Sequence, residues 1–114
     1  MMQANEILLG IDVGTQSAKC VVIDSAGALH GVGQHGYPVL TPQPLWAEQD
    51  PAAWWDAITI AVREALQQAD VSPQQVRGIG LTGQMHGVVM IGADLTPVRP
   101  AIIWMDRRSA GLID

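Results

Sequence analysis

Residues 10–19 read Gly-Ile-Asp-Val-Gly-Thr-Gln-Ser-Ala-Lys and lie between two apolar runs, so a carboxylate, two glycines, two hydroxyls and a lysine share one short stretch. These residue types suit an anion. Gly14 permits close approach to the backbone, and the amides of Gly14, Thr15 and Gln16, with the Thr15 and Ser17 hydroxyls, can converge on phosphate oxygens. Lys19 adds a point charge. Two anions repel, so Asp12 is suited not to phosphate itself but to Mg²⁺ held through water, or to an acceptor hydroxyl. The commonest phosphate loops are excluded, because Gly10, Gly14 and Gly27 do not form G-x-G-x-x-G and no G-x-x-x-x-G-K-[ST] occurs. Those loops lead into a helix, whereas a second β-rich run follows here. An isolated D-x-G-T is more often a plain hairpin in which Asp12 and Thr15 bond the local backbone.

Two further stretches carry chemistry. In Gly83-Gln84-Met85-His86-Gly87, His86 can donate to or accept from a hydroxyl and Met85 can cover an apolar carbon face, although a lone histidine in a glycine-flanked loop is also an ordinary surface residue. In Trp104-Met105-Asp106-Arg107-Arg108, an acid and two arginines follow an indole. Asp106 capping a last helix and pairing with an arginine explains that block as well as a binding role does.

The elements that must position these residues follow from periodicity. Ile7–Ile11 and Lys19–Ile23 read as strands, and the short Val13–Ser17 joint makes them antiparallel neighbours. Asp24-Ser25-Ala26-Gly27 has turn chemistry, and Ala28–Tyr37 supplies a third strand, giving a three-strand meander. Proline-rich 38–44 reads as a surface connection. Asp50 as N-cap and Pro51 at the first helical position open a helix whose Trp54, Ile58, Ala61, Val62, Ala65, Leu66 and Ala69 recur at three- and four-residue spacing and face a sheet. Ser72-Pro73 predicts a short turn of helix, Ile79–Thr82 and Val88–Ile91 predict strands, Ala101–Trp104 predicts a last strand, and Arg107 opens a final helix. That order is α/β with the first strand central, the order of a ribonuclease-H-like, actin-like ATPase domain. The final helix has little length in which to bury its apolar side, so residues 1–114 are expected to be an incomplete domain.

The 114 residues suffice for one core, and their net charge of −5, with scattered bases, offers no stripe for nucleic acid. The single cysteine, Cys20, excludes an internal disulfide and fits a reducing, cytoplasmic setting. The start lacks the basic region of a signal peptide, and the apolar runs fall short of a membrane span.

Taken in order, Gly10-Ile11-Asp12-Val13-Gly14-Thr15, Leu45-Trp46-Ala47-Glu48-Gln49-Asp50-Pro51 with Trp54-Trp55, Gly80-Leu81-Thr82-Gly83-Gln84-Met85-His86-Gly87 and Pro100–Arg108 resemble the amino-terminal part of the FGGY carbohydrate kinases. The resemblance covers nearly the whole chain. It implies ATP- and Mg²⁺-dependent phosphorylation of a sugar hydroxyl in a cleft between two actin-like domains, with residues 1–114 forming the amino-terminal part of the first. Asp12 then matches the acid near the transferred phosphoryl group. Gly14, Thr15, Gln16 and Ser17 match the turn that cradles ATP phosphates, and Lys19 stands where some members carry arginine, keeping the charge but losing the fork.

The Met85-His86 pair matches the branch whose substrate is a ketopentose, D-xylulose becoming D-xylulose 5-phosphate, whereas glycerol-type members carry Arg-Glu there. Trp104, Asp106 and Arg108 match a W-x-D-x-R block at the sugar end of the cleft. Trp46, Glu48, Asp50 and Trp54 also match, though capping and packing account for them. The resemblance puts the general base and the adenine pocket downstream, so the segment alone is expected to be inactive. Actin-like and chaperone ATPases share the D-x-G-T hairpin without a sugar, but the Met85-His86 and Trp-x-Glu-Gln-Asp-Pro blocks argue against them. A nuclease of the same fold would need clustered metal-binding acids, and Asp12 stands alone at its strand end.

Overall fold

The computed structural model describes residues 5–113. The first four residues, on which the reading of the chain's start partly rests, and Asp114 at the end of the expected last helix lie outside them. Strands β1 (Ile7–Val13), β2 (Ser17–Asp24) and β3 (Leu29–Gly36) form the antiparallel meander. The β1–β2 reversal is tight, the Gly14 amide donating to the Ser17 carbonyl at 2.9 Å. The β2–β3 reversal uses Gly27 at φ 89°, a left-handed backbone that glycine adopts without strain. There the Asp24 carboxylate accepts from the amides of Ala26 and Ala28.

A two-residue strand, β4 (Glu48–Gln49), precedes helix α1 (Pro51–Ala69). The Asp50 side chain accepts from the Ala52 amide at 2.9 Å, and the helix ends at Asp70 in the left-handed region. Helix α1 lies on β2 and β3, and glycines make that approach possible. A Cβ on Gly33 would stand 1.9 Å from the Ala61 carbonyl oxygen, and one on Gly31 2.3 Å from that of Ala65. Alanine faces glycine across the interface, so helix and sheet backbones nearly touch. Leu9, Ile11, Cys20, Val22, Ala61, Ala65 and Leu66 make the core beneath.

After a 3₁₀ turn at Pro73–Gln75, β5 (Val76–Gly83) runs parallel to β1 and completes the order β3-β2-β1-β5. The first strand is interior, as its apolar run predicts. Strand β5 is longer than the expected Ile79–Thr82 because its backbone pairs with β1 along the whole length, from Ile7↔Val76 to Val13↔Gly83. Its side chains remain largely exposed, including Ile79 and Leu81.

Three expectations are corrected. Val88–Ile91 is not a strand: it makes only isolated bridges, Val88 to Ile102 and Ile91 to Pro97, because the turn through Gly92–Thr96 folds the segment onto itself. The last strand, β6, is only Ala101–Ile102, paired antiparallel with β4. The helix expected from Arg107 reduces to a 3₁₀ turn at Ala110–Leu112: Leu112 and the following Ile113 are exposed, and among the described residues nothing packs on them to hold a longer helix. Among the described residues no helix is long and apolar enough to cross a membrane.

Candidate active site

Side chains alternate along β1, so Ile11 enters the core under α1 while Asp12 takes the opposite, open face. Asp12 is the register partner of Lys19 on β2 and of Thr82 on β5. A row of ammonium, carboxylate and hydroxyl thus crosses three strands at the carboxyl end of the parallel pair. Gly10 and Gly80 leave the sheet bare beside it, opening a depression of about 420 Å³. Asp12 and Lys19 are exposed and, among the described residues, neither enters an ion pair.

The turn after Asp12 is held from behind through each of its carbonyls. The Gly14 oxygen accepts from the Tyr37 hydroxyl at 2.5 Å and from Gln84 Nε2 at 3.3 Å. The Thr15 oxygen accepts from Gln49 Nε2 at 2.5 Å, and the Gln16 oxygen from the Tyr37 amide at 3.0 Å. Burial, and then the Asp12 charge, push the Tyr37 phenol above its ordinary pKa, so it remains a donor at neutral pH. Of the three amides expected to face an anion, that of Gly14 is occupied by Ser17, while those of Thr15 and Gln16 have no partner among the described residues. The Ser17 hydroxyl accepts from Gln34, and the Thr15 hydroxyl accepts from Trp104 Nε1 at 2.8 Å, which leaves each O–H free to donate.

Strand β5 delivers the second stretch. The Gln84 amide donates to the Val13 carbonyl, and a Cβ on Gly83 would stand 2.8 Å from that oxygen, so glycine lets the end of β5 lie close beside the hairpin. His86 then takes φ 64°, a left-handed turn costly for a side chain of its size, and Met85 is 72% exposed. Thr15, Gln84, Met85, His86 and Trp104 line one open cleft of about 350 Å³. Three stretches far apart in sequence meet there.

Asp106 and Arg108 are outside the lining of that cleft, Asp106 sharing a neighbouring hollow with Trp104. The Arg108 guanidinium stacks 3.8 Å from the Trp46 ring centroid and reaches the carboxylates of Asp106 and buried Glu48, each at 2.7 Å. Arg99 also reaches Glu48, and Asp106 accepts from the Ala47 amide at 2.7 Å. Hydrogen bonds from Arg108, helped by the Ala47 amide, hold the Asp106 carboxyl far below the usual range. This network clamps the carboxyl-terminal segment onto β4 and so fixes Trp104.

Tyr37, Gln49 and Thr82 were given no role by residue type alone. The one signal for Gln49 is an amide flanked by charges in a stretch that ends on a helix cap. Among the described residues no group of three or more His, Cys, Asp or Glu could hold a metal. Asp12 is thus a single exposed carboxylate, which by itself supplies one oxygen-donor side chain to a divalent cation.

Comparison with known proteins agrees with this geometry. Residues 7–114 match the sequence profile of the N-terminal domain of the FGGY family of carbohydrate kinases. A glycerol kinase from Thermococcus kodakarensis is 35% identical over 109 residues, covering 96% of this chain and 22% of that protein. A xylulose kinase from Klebsiella pneumoniae is 40% identical over 102 residues, 90% of this chain and 21% of the relative. The solved structure of a xylulose kinase from Rhodospirillum rubrum superposes with a TM-score of 0.84 at 28% identity, over 93% of this chain and 22% of that one. The chain thus spans about a fifth of the length of the relatives it matches. With residues 7–114 matching the family's N-terminal domain, the chain belongs to the FGGY family of carbohydrate kinases.

Proposed function

We propose that residues 1–114 are the amino-terminal part of the first actin-like domain of an ATP-dependent kinase that phosphorylates a ketopentose, converting D-xylulose to D-xylulose 5-phosphate. The observation that carries this reading is the cleft in which the Thr15 hydroxyl meets Met85, His86 and Trp104. The open amides of Thr15 and Gln16, with the Thr15 and Ser17 hydroxyls, take phosphate oxygens, and Lys19 supplies charge. His86 bonds a sugar hydroxyl, Met85 covers the carbon face and Trp104 walls the cleft. Asp12 holds Mg²⁺ through water or orients the acceptor hydroxyl. When bound, Mg²⁺ neutralises charge on the transferring phosphoryl group. Asp106 and Arg108 act at the sugar end by fixing Trp104.

The proton-accepting base and the adenine pocket belong to downstream sequence, so the segment alone is inactive in this reading. A cytoplasmic setting, which the single cysteine fits, belongs to the same reading. A polyol in place of the ketopentose is the second reading, favoured by the 35% identity to a glycerol kinase. A coupled ATP-turnover assay of the full-length protein over ketopentoses, polyols and aldonates tests both. Preference for D-xylulose is expected. Preference for glycerol would replace the substrate and keep the class, and equal turnover with and without sugar would make it an ATPase.

A further inference from the structure

Gln49 is 1% exposed and both ends of its side-chain amide are bonded. Nε2 donates to the Thr15 carbonyl at 2.5 Å, while Oε1 accepts from the Trp54 indole at 2.9 Å and from Gln84 Nε2 at 2.8 Å. An indole N–H only donates, so Trp54 fixes which end of the Gln49 amide faces it, and Nε2 is left for Thr15. Gln84 is fixed by the same logic. Its Nε2 gives both hydrogens to acceptors, Gln49 Oε1 and the Gly14 carbonyl, so the amide cannot turn over. Gln84 Oε1 stays buried without a partner among the described residues. Two glutamines therefore hold consecutive carbonyls of the phosphate turn, and one of them immediately precedes Met85 and His86.

From this chain of bonds we infer that Gln49 is a positioning residue that couples the sugar loop to the phosphate turn. A sugar engaging Met85 and His86 fixes Gln84; Gln84 fixes Gln49, and Gln49 fixes Thr15. Coupling between two sites is reciprocal, so each substrate raises the affinity for the other. The inference deepens the sugar-kinase reading and rests on it.

Gln49→Met keeps the length of the side chain and removes every bond, and Gln84→Met cuts the same chain at a half-buried position. In the full-length protein, KM for ATP is measured at several sugar concentrations, KM for sugar at several ATP concentrations, and kcat and melting temperature alongside. Displacing bound groups by a fraction of an ångström is costly, so both KM values are expected to rise about ten-fold in either variant. The dependence of one KM on the other substrate should vanish, and the double variant should be no worse than the worse single one. Should Gln49→Met fail to fold, Gln84→Met alone decides. A lower melting temperature or kcat with both KM values and their interdependence unchanged would overturn the inference. No sugar-dependent turnover in the unsubstituted protein would instead overturn the kinase reading, and the coupling with it.

Discussion

The indole N–H of Trp104 donates to the Thr15 hydroxyl at 2.8 Å, joining two residues 89 positions apart. The bond occupies a lone pair of the hydroxyl and leaves its hydrogen free to donate elsewhere; in the proposed reading the wall of the sugar cleft thereby orients a donor for phosphate. Trp104→Phe keeps a wall and removes the donor. In the full-length protein, KM for ATP should rise about five- to ten-fold, the scale of one hydrogen bond, with little change in melting temperature because Trp104 is 55% exposed. Steady-state kinetics check this, and an unchanged KM would separate Trp104 from the phosphate turn.

Asp12 is exposed and, among the described residues, free of ion pairs, so its chemistry can be removed without disturbing the fold. Asp12→Asn should lower kcat by about a hundred-fold or more, as removal of a positioned charged group at a reacting centre does, while leaving the denaturation midpoint in place. Parallel kinetics and urea titration measure the two. Retention of kcat would take Asp12 out of the reaction.

Arg108 touches Trp46, Asp106 and Glu48 but does not line the cleft. Arg108→Lys keeps the charge and loses both the stack and the fork, so stability should fall by about 1–2 kcal/mol with a small effect on KM for sugar. Denaturant titration and sugar kinetics read these separately. A sugar KM raised many-fold at unchanged stability would make Arg108 a direct sugar contact.

Gly33 lies against the helix backbone. Gly33→Ala should cost about 3 kcal/mol or more, because the methyl group would meet the Ala61 carbonyl oxygen and neither backbone has room to retreat. Gly111→Ala, where nothing stands within 4 Å, should stay within about 0.5 kcal/mol. Denaturation midpoints of the two variants make the comparison.

Acid should weaken the fold over a defined window. The His30 ring beside Asp24, with the Ala28 and Ala26 amides, lowers its carboxyl from 3.8 to about 2. The folded state therefore binds this proton less readily than the unfolded chain, so the contribution is complete above about pH 4 and disappears as pH falls towards 2. Unfolding curves from pH 6 to pH 2 should show this loss, and Asp24→Asn should flatten it. An unchanged slope in the variant would assign acid sensitivity to other carboxylates.

Much of this arrangement is legible in residue order. Apolar, β-branched runs place β1 and β2 to within two residues at each end, the cap and proline at 50 and 51 place α1, and the D-x-G-T stretch falls on a hairpin. What residue order concealed was held by pairing rather than by pattern. Strand β5 extends beyond its apolar stretch because β1 supplies backbone partners to Val76, Gly78 and Gly83. Val88–Ile91 has the composition of a strand but, among the described residues, makes only isolated bridges. Gln49 and Tyr37 have ordinary residue types, and only the folded chain brings their donors to carbonyls more than twenty positions away.

With all three carbonyls of the Gly14–Gln16 turn bonded from behind, an incoming anion meets a loop with little conformational freedom left to lose. Affinity at such a turn is determined in part when the chain folds, and the hold of the sugar loop on Gln84 and Gln49 adds the rest. Substitutions at Tyr37 or Gln49, which contribute nothing to the exposed surface of the turn, would then register as weaker anion binding through added entropy in the free state.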